Sequence, residues 1–276
     1  MYKLIVSDLD ETLLNDAHEI CDKNKEYIAK ATRMGIKFIP ATGRGYSGIT
    51  NVLKALDLYD KEEEYVVSFN GGALTENKNN RIMNFDGLSF EKAKELFEFG
   101  LLKNQCMHIY TKDTVYLCNL NEDERNRFIN QKSAFIELEE KSIDFLKNEP
   151  IAKVIYQNLD TNYLKELSKE MLHITENEVS VNYSSNRYME LNKIGVNKGD
   201  AVLKLAALLG VKQEEIIVAG DNYNDVEMIK TAKLGCAVAC ANDDIKELAQ
   251  YVTQKDYDEG AVKEVIEKFV LGENHE

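Results

Sequence analysis

Asp8 and Asp10 stand two positions apart, directly after the apolar run Leu4-Ile5-Val6. Thr42, Gly43 and Arg44 follow a second apolar run that closes on Pro40. Asp221, Asn224 and Asp225 follow a third, Ile216-Ile217-Val218-Ala219, and Lys198 opens a long amphipathic stretch. Ligands of an open parallel sheet bind outside the carboxyl ends of its strands. Three strand ends would thus deliver carboxylates, a hydroxyl, an amide and a guanidinium to one rim, with Lys198 projecting over it. Carboxylates gathered in one crevice repel one another unless a cation sits among them. Hard oxygen donors, with water completing the shell, suit Mg2+. Asp8 and Asp221 are the expected metal ligands, with the main-chain carbonyl of Asp10 as a third. Asp225 either ligates or orients a bound water. Such an ion would let a carboxylate attack a phosphate dianion, because it offsets the anion–anion repulsion. Thr42 and Lys198 are expected to hold the remaining phosphoryl oxygens, Lys198 as a point cation. The Gly43 N–H lies where a helix-start amide can approach an oxyanion closely. Phosphoryl transfer asks chiefly for positioning and charge stabilisation, which this set supplies.

The elements that must position these groups read as alternating strands and helices. Strands are predicted at 4–6, 36–39 and 65–69, with helices over 22–34 and 46–57 and a turn at Asn70-Gly71-Gly72. After residue 190 the same grammar returns. It predicts a helix from Lys198 to Leu209 capped by Gly210, strands at 216–219, 235–239 and 251–253, and helices from about 225, at 243–250 and at 260–270. That alternation implies parallel βαβ units. Between them, helices at 90–103, 121–131 and 161–171 mix less regularly with strands at 108–110, 115–117, 153–156 and 179–183. The fold class expected is α/β: a Rossmann-like parallel-sheet core over residues 1–82 and 190–276, interrupted by an inserted α+β domain at 83–189.

The chain has 276 residues, 44% of them hydrophobic, and a net charge of −14. That is enough to bury a core without covalent staples. The acidic balance disfavours a nucleic-acid backbone or an anionic bilayer as partner. No run approaches a membrane span, and the early Asp8 predicts no signal peptide. Five scattered cysteines without a C-x-x-C pair suggest reduced thiols and a cytoplasmic protein. Cys236 and Cys240, around a strand, are expected to be buried. His18, His108, His173 and His275 show no zinc-ligand spacing. Tyr110, Tyr116, Tyr156, Tyr183 and Tyr188 read as sheet core.

Four segments, Asp8-Leu9-Asp10-Glu11-Thr12-Leu13-Leu14, Ala41-Thr42-Gly43-Arg44, Asn197-Lys198-Gly199 and Gly220-Asp221-Asn222-Tyr223-Asn224-Asp225, resemble in order and context the four motifs of the haloacid dehalogenase superfamily. The likeness is greatest to its Cof-type (subfamily IIB) phosphatases and covers essentially the whole chain. Those proteins carry an α/β cap between the second and third motifs, where this sequence has its insertion. The resemblance implies that Asp8 is the nucleophile that forms an aspartyl-phosphate. Asp10 would protonate the leaving oxygen and then activate the hydrolytic water. Thr42 and Lys198 would hold the phosphoryl group, Asp221 the Mg2+. Asn224 would donate to the phosphate, and Asp225 would support the metal shell. Glu11 departs from the pattern, standing where the family more often has Gly.

Structural alternatives accompany several of these residues. Thr42 can cap the helix that follows, Asp225 can cap the next one, and Arg44 serves either as a substrate contact or as a surface salt bridge. The expected activity is an Mg2+-dependent phosphatase acting on a small phosphorylated metabolite, with the inserted domain excluding water and choosing the substrate. A monomer or weak homo-oligomer is expected. The rival readings are a phosphomutase of the same fold and a receiver-like signalling module that stores an aspartyl-phosphate. Asp10 separates the last from a hydrolase, because storage needs no acid.

Overall fold

A computed structural model describes residues 1–130 and 134–272; His275 and the last residue of the helix expected over 121–131 lie outside them. The chain divides into two compact units, Met1–Asn84 with Asn197–Glu276, and Phe85–Val196.

In the first unit, Leu4-Ile5-Val6-Ser7 is buried throughout and forms β1 (Leu4–Ser7). A continuous apolar run suits a strand covered on both faces. There follow α1 (Asp22–Arg33), β2 (Lys37–Pro40), α2 (Thr50–Ala55), β3 (Tyr65–Ser68), β4 (Ala73–Glu76) and β5 (Arg81–Phe85). The second unit contains α3 (Phe90–Leu102), β6 (Cys106–Thr111), β7 (Val115–Cys118), α4 (Glu122–Asn130), β8 (Ile136–Glu137), β9 (Ile151–Gln157), α5 (Thr161–Glu170), α6 (Leu172–Thr175), β10 (Val179–Ser184) and β11 (Tyr188–Lys193). The first unit resumes with α7 (Lys198–Leu209), β12 (Ile216–Gly220), α8 (Val226–Thr231), β13 (Leu234–Ala237), α9 (Asp243–Leu248), β14 (Tyr251–Val252) and α10 (Ala261–Ile266).

The main sheet has the order β14-β13-β12-β1-β2, all parallel. The chain winds to one side from β1 to β2 and to the other from β12 to β14. The switch point, where a crevice opens at the carboxyl ends, therefore lies between β1 and β12. Successive residues on a strand face opposite sides, and two cores follow. Ile5, Phe38 and Ile217 pack with Ile28, Val262 and Ile266 from α1 and α10. Leu4, Val6, Ile39 and Val218 pack with Val202, Leu205, Met228 and Ile229 from α7 and α8.

Pro40 ends β2, as its missing N–H requires. β3 departs from the expected parallel run. It joins β2 through a single bridge, Ala41 to Val67, then turns back antiparallel into β4 and on to β5. The reversal is built by Phe69, Asn70 and Gly71, all with positive φ.

The second unit is a six-stranded sheet, β10-β11-β9-β6-β7-β8, antiparallel except between β7 and β8. Met107, Ile109, Val154, Tyr156, Met189 and Leu191 face Ala93, Phe97, Leu164 and Leu167 of α3 and α5. Of the tyrosines expected in sheet core, Tyr156 is fully buried, whereas Tyr183 is exposed.

Candidate active site

The register of β1 against β12 places Ser7 opposite Ala219, and the Asp8 N–H donates to the Ala219 carbonyl at 2.9 Å. Residues that leave these two strands therefore share one crevice. One carboxylate oxygen from each of Asp8, Asp221 and Asp225 lies within 4.8 Å of the others, and all three residues are buried. Lys198, with no exposed surface, donates to Asp8 Oδ1 at 2.5 Å and to Asp225 Oδ1 at 2.6 Å. The other oxygen of Asp225 accepts the N–H groups of Asp221 and Asn222, at 3.0 and 3.1 Å. Asp225 thus ties the loop before it with one oxygen and binds the lysine with the other; α8 starts after it without a side-chain cap, which corrects the capping alternative. Thr12 donates its hydroxyl to Asp221 Oδ1 at 2.6 Å.

Close backbone contacts hold Lys198 in place. Asn197 caps α7 by accepting the Asp200 N–H at 2.8 Å. A Cβ on Gly199 would stand 2.6 Å from the carbonyl carbon of Glu227 in α8. Gly71, at φ +101°, brings the β3–β4 turn so near α7 that a Cβ would stand 2.2 Å from the Asn197 oxygen. Only glycine fits at either contact.

Charge in this cluster is unbalanced, since one ammonium faces three carboxylates. Burial pushes the Asp8 carboxyl well above the ordinary range; Lys198 opposes this, while Asp225 and Asp221 add to it. Burial likewise lifts Asp221 to about 7, helped by Asp225 and Glu11 and resisted by the Thr12 hydrogen bond and Lys198. Burial works against the charge on Lys198, yet Asp225 and Asp8 keep its ammonium above the usual lysine range.

Asp10 points elsewhere. Arg44 grips it with both arms, Nε to Oδ2 at 2.9 Å and a second N–H to Oδ1. The His18 ring nitrogen lies 2.9 Å from that guanidinium and 3.5 Å from Asp10 Oδ1. The salt-bridge alternative for Arg44 is thus realised, with Asp10 as its partner.

Thr42 is buried where β2 meets β3. Its N–H donates to the Val67 carbonyl at 2.8 Å, and its own carbonyl accepts the Asn70 N–H at 2.9 Å. Its hydroxyl accepts the Arg44 N–H at 3.1 Å. The following helical turn is capped by Gly45, not by Thr42, which corrects the capping alternative. A Cβ on Gly43 would lie 3.2 Å from Asn70 Oδ1, and that oxygen accepts from Asn224 Nδ2 at 3.0 Å. Asn70 therefore joins Thr42, Gly43 and Asn224, although the sequence marks it only as turn punctuation. Its signal is position: like the other site residues, it directly follows a strand end. Thr12 is the second residue without an assigned role in the sequence reading. The full burial of a hydroxyl between Leu9 and Leu13 points to a polar partner for it.

Glu11 is exposed and sits at φ +59°, in the left-handed region that favours glycine. Its carbonyl accepts from the thiol of Cys240 at 3.3 Å. Cys240 is exposed rather than buried, because it lies within the loop after β13; Cys236, inside that strand, is buried. All five cysteines are free.

The chain matches the family model of haloacid dehalogenase-like hydrolases over residues 5–266. It is 30% identical over 275 residues to YxeH of Bacillus subtilis, covering 98% of this chain and 99% of that one. It is 28% identical over 264 residues to the 5-amino-6-(5-phospho-D-ribitylamino)uracil phosphatase YcsE of the same organism, covering 95% and 94%. A crystal structure of a haloacid dehalogenase-like hydrolase from Bacteroides thetaiotaomicron superposes with a TM-score of 0.86 at 29% identity, covering 97% of this chain and 99% of that one. No helix among the described residues is long and apolar enough to cross a membrane.

Proposed function

This chain belongs to the haloacid dehalogenase-like hydrolases, of the Cof type, and on that premise we propose that it is an Mg2+-dependent phosphatase that hydrolyses small-molecule phosphomonoesters through an aspartyl-phosphate on Asp8. The observation that carries the proposal is the buried group of Asp8, Asp221 and Asp225 sharing the single ammonium of Lys198.

The donor set fits a hard divalent cation. Its side-chain donors are all carboxylate oxygens, and burial and mutual repulsion leave two of the carboxyls short of compensating charge. Asp8 and Asp221, with the main-chain carbonyl of Asp10, would hold the ion, and Asp225 would ligate it or orient a bound water. When bound, Mg2+ supplies charge that offsets the repulsion between the Asp8 carboxylate and the phosphate and orients the phosphoryl group.

The chain's own residues do the rest. Asp8 attacks phosphorus while Asp10 delivers a proton to the leaving oxygen. Asp10 then takes a proton from the water that cleaves the aspartyl-phosphate. Lys198 and the Thr42 hydroxyl hold phosphoryl oxygens, joined by the Gly43 N–H and the Asn224 amide. In this structure Arg44 holds both oxygens of Asp10 turned away from Asp8, so Asp10 serves as acid and base once that salt bridge opens. The YcsE name describes a primary phosphate on a ribityl chain, so phosphorylated alditols and sugar phosphates lead the substrate panel.

The test is phosphate release from that panel with Mg2+ and with chelator, for the parent and for Asp8→Asn. Turnover that needs Mg2+ and vanishes in Asp8→Asn is the expected result. Full turnover by Asp8→Asn overturns the nucleophile, and full turnover in chelator overturns the ion.

A further inference from the structure

The main chain is pinned at both Arg44 and Asp10, whereas their side chains reach solvent. The Arg44 N–H donates to the Thr42 hydroxyl and its carbonyl accepts the Phe69 N–H, each at 3.1 Å. Asp10 forms a bridge with Leu14. The Asp10 side chain is 46% exposed and that of Arg44 30%. The guanidinium gives its Nε–H and one Nη2 N–H to the two Asp10 oxygens, and His18 Nδ1 lies 2.9 Å from the same Nη2. A guanidinium has five N–H donors. The two on Nη1 have no protein partner among the described residues.

This arrangement is at odds with the work given to Asp10. A carboxylate that accepts from a guanidinium through both oxygens has no proton to donate, and neither oxygen is free to take one from water. The grip is also weak, because a pair this exposed contributes little, so a better anion can displace it. A phosphoryl group is such an anion. It carries more charge than a carboxylate and presents pairs of oxygens that fit the guanidinium fork. It would also bind close by. Gly43, whose N–H is assigned to a phosphoryl oxygen, directly precedes Arg44, and the Thr42 hydroxyl assigned to another accepts the Arg44 N–H. On the other side, Asp10 must itself reach an oxygen bonded to phosphorus.

We propose that Arg44 is a positioning residue that changes partners during turnover: it holds Asp10 aside until substrate arrives, then passes to the phosphoryl oxygens and so frees the Asp10 carboxyl for the leaving oxygen. This handover rests on the phosphatase reading and adds a step to it. The open Nη1 edge lets a first phosphoryl oxygen engage the guanidinium before Asp10 lets go. Phosphate binding and the availability of the acid are thereby coupled, and the coupling is reciprocal. Whatever frees the guanidinium from Asp10 must also tighten phosphate.

The experiment is calorimetric binding of inorganic phosphate, in Mg2+, to the full chain as parent, Asp10→Ala, Arg44→Gln and the double variant. Asp10→Ala leaves no carboxylate to grip. It should tighten phosphate by about three- to fivefold more in the parent background than in the Arg44→Gln background. The comparison removes the plain effect of deleting a negative charge, which acts with or without the guanidinium. NMR of the arginine Nε–H groups gives a second readout. The resonance missing from Arg44→Gln should shift when phosphate saturates the parent, towards its position in phosphate-saturated Asp10→Ala. Equal effects of Asp10→Ala in both backgrounds overturn the handover, as does an Arg44 resonance that saturating phosphate leaves in place. In a chain that binds phosphate and hydrolyses the substrate panel, those results leave the phosphatase reading standing. A parent that neither binds phosphate nor releases it from any substrate overturns both.

Discussion

Lys198 Nζ donates to Asp8 Oδ1 at 2.5 Å across 190 positions of sequence, deep enough that the lysine has no exposed surface. The same ammonium serves Asp225. Removing one member of a buried ion pair strands the other, at a cost of about 3–5 kcal/mol. Lys198→Met is therefore expected to lower the urea midpoint sharply and to cut turnover by about 10²–10³-fold, the usual effect of losing one charge-stabilising donor. Adding Asp8→Asn should restore part of the stability, because one stranded carboxylate is gone. Urea denaturation of the four proteins measures the coupling. A Lys198→Met protein as stable as the parent would contradict the buried pairing.

Asp221 makes the cluster sensitive to pH. Its proton is held to about 7 in the fold, against an ordinary carboxylate value of 3.8. Between those values the folded chain binds a proton that the unfolded chain has lost. Without metal, its contribution to stability is complete below the lower value and falls as pH rises through the upper one. A divalent cation reverses the sign by favouring the ionised form. In EDTA the melting temperature of the parent, measured against that of Asp221→Asn, should be lower at about pH 8 than at about pH 5, and the gain on adding Mg2+ should be larger at the higher pH in the parent and much reduced in the variant. Thermal melts at the two pH values, with chelator and with Mg2+, decide it.

The parts legible in the sequence share one property: a single local signal dictates them. β1, β2 and β12 are apolar runs ending in site residues, and their burial on both faces is what such runs mean. The partner of each strand is a different matter. Nothing in Tyr65-Val66-Val67-Ser68 states that β3 leaves the parallel sheet after one bridge, because an apolar run is the same in either direction of pairing. β4 and β5 are short and partly polar, and β11 alternates Met189 and Leu191 with Glu190 and Asn192, on a sheet whose second face also buries polar groups such as His108, Lys153 and Asn192. In the candidate site, strand-end position picks out Asp8, Thr42 and Asp221. Asn70 also follows a strand end, but beside Gly71 and Gly72 it reads as a turn residue, and only the fold shows its contact with Asn224. The Arg44 alternatives likewise resolve only once Asp10 is seen opposite the guanidinium.

Glu11 offers a test in which backbone and charge act together. Its φ of +59° costs a residue with a Cβ about 1–2 kcal/mol, and glycine's looser unfolded chain returns about 0.5–1 of that. Glu11→Gly should therefore stabilise the protein by about 0.5–1 kcal/mol. It also removes one of the charges that raise Asp221. The pH at which the Mg2+ gain reaches half its full size should accordingly move downward. Calorimetric melts and a pH series of Mg2+ additions read the two effects separately. A destabilised Glu11→Gly protein would show that the Glu11 side chain contributes more than its backbone geometry costs.

His108 carries the acid sensitivity of the second unit. It is 1% exposed, neither ring nitrogen has a hydrogen-bond partner among the described residues, and the rings of Phe128 and Tyr188 pack on it at 5.3 and 5.6 Å. Glu124 lies 3.5 Å away, but its carboxyl is itself pushed up by burial, so it gives an imidazolium little support. Burial, with Lys153 and Arg187 adding to it and Glu190 opposing, depresses His108 to about 3, against an ordinary 6.5. The unfolded chain therefore takes a proton below the upper value that the fold refuses until the lower one. Across that window stability falls with acidification by up to about 1.4 kcal/mol per pH unit. His108→Phe keeps the ring, discards both unpartnered nitrogens and removes the titration. It should raise the urea midpoint modestly at about pH 8 and substantially more at about pH 5. Urea denaturation of parent and variant at the two pH values measures the difference, and an equal gain at both would show that His108 is not the group that titrates.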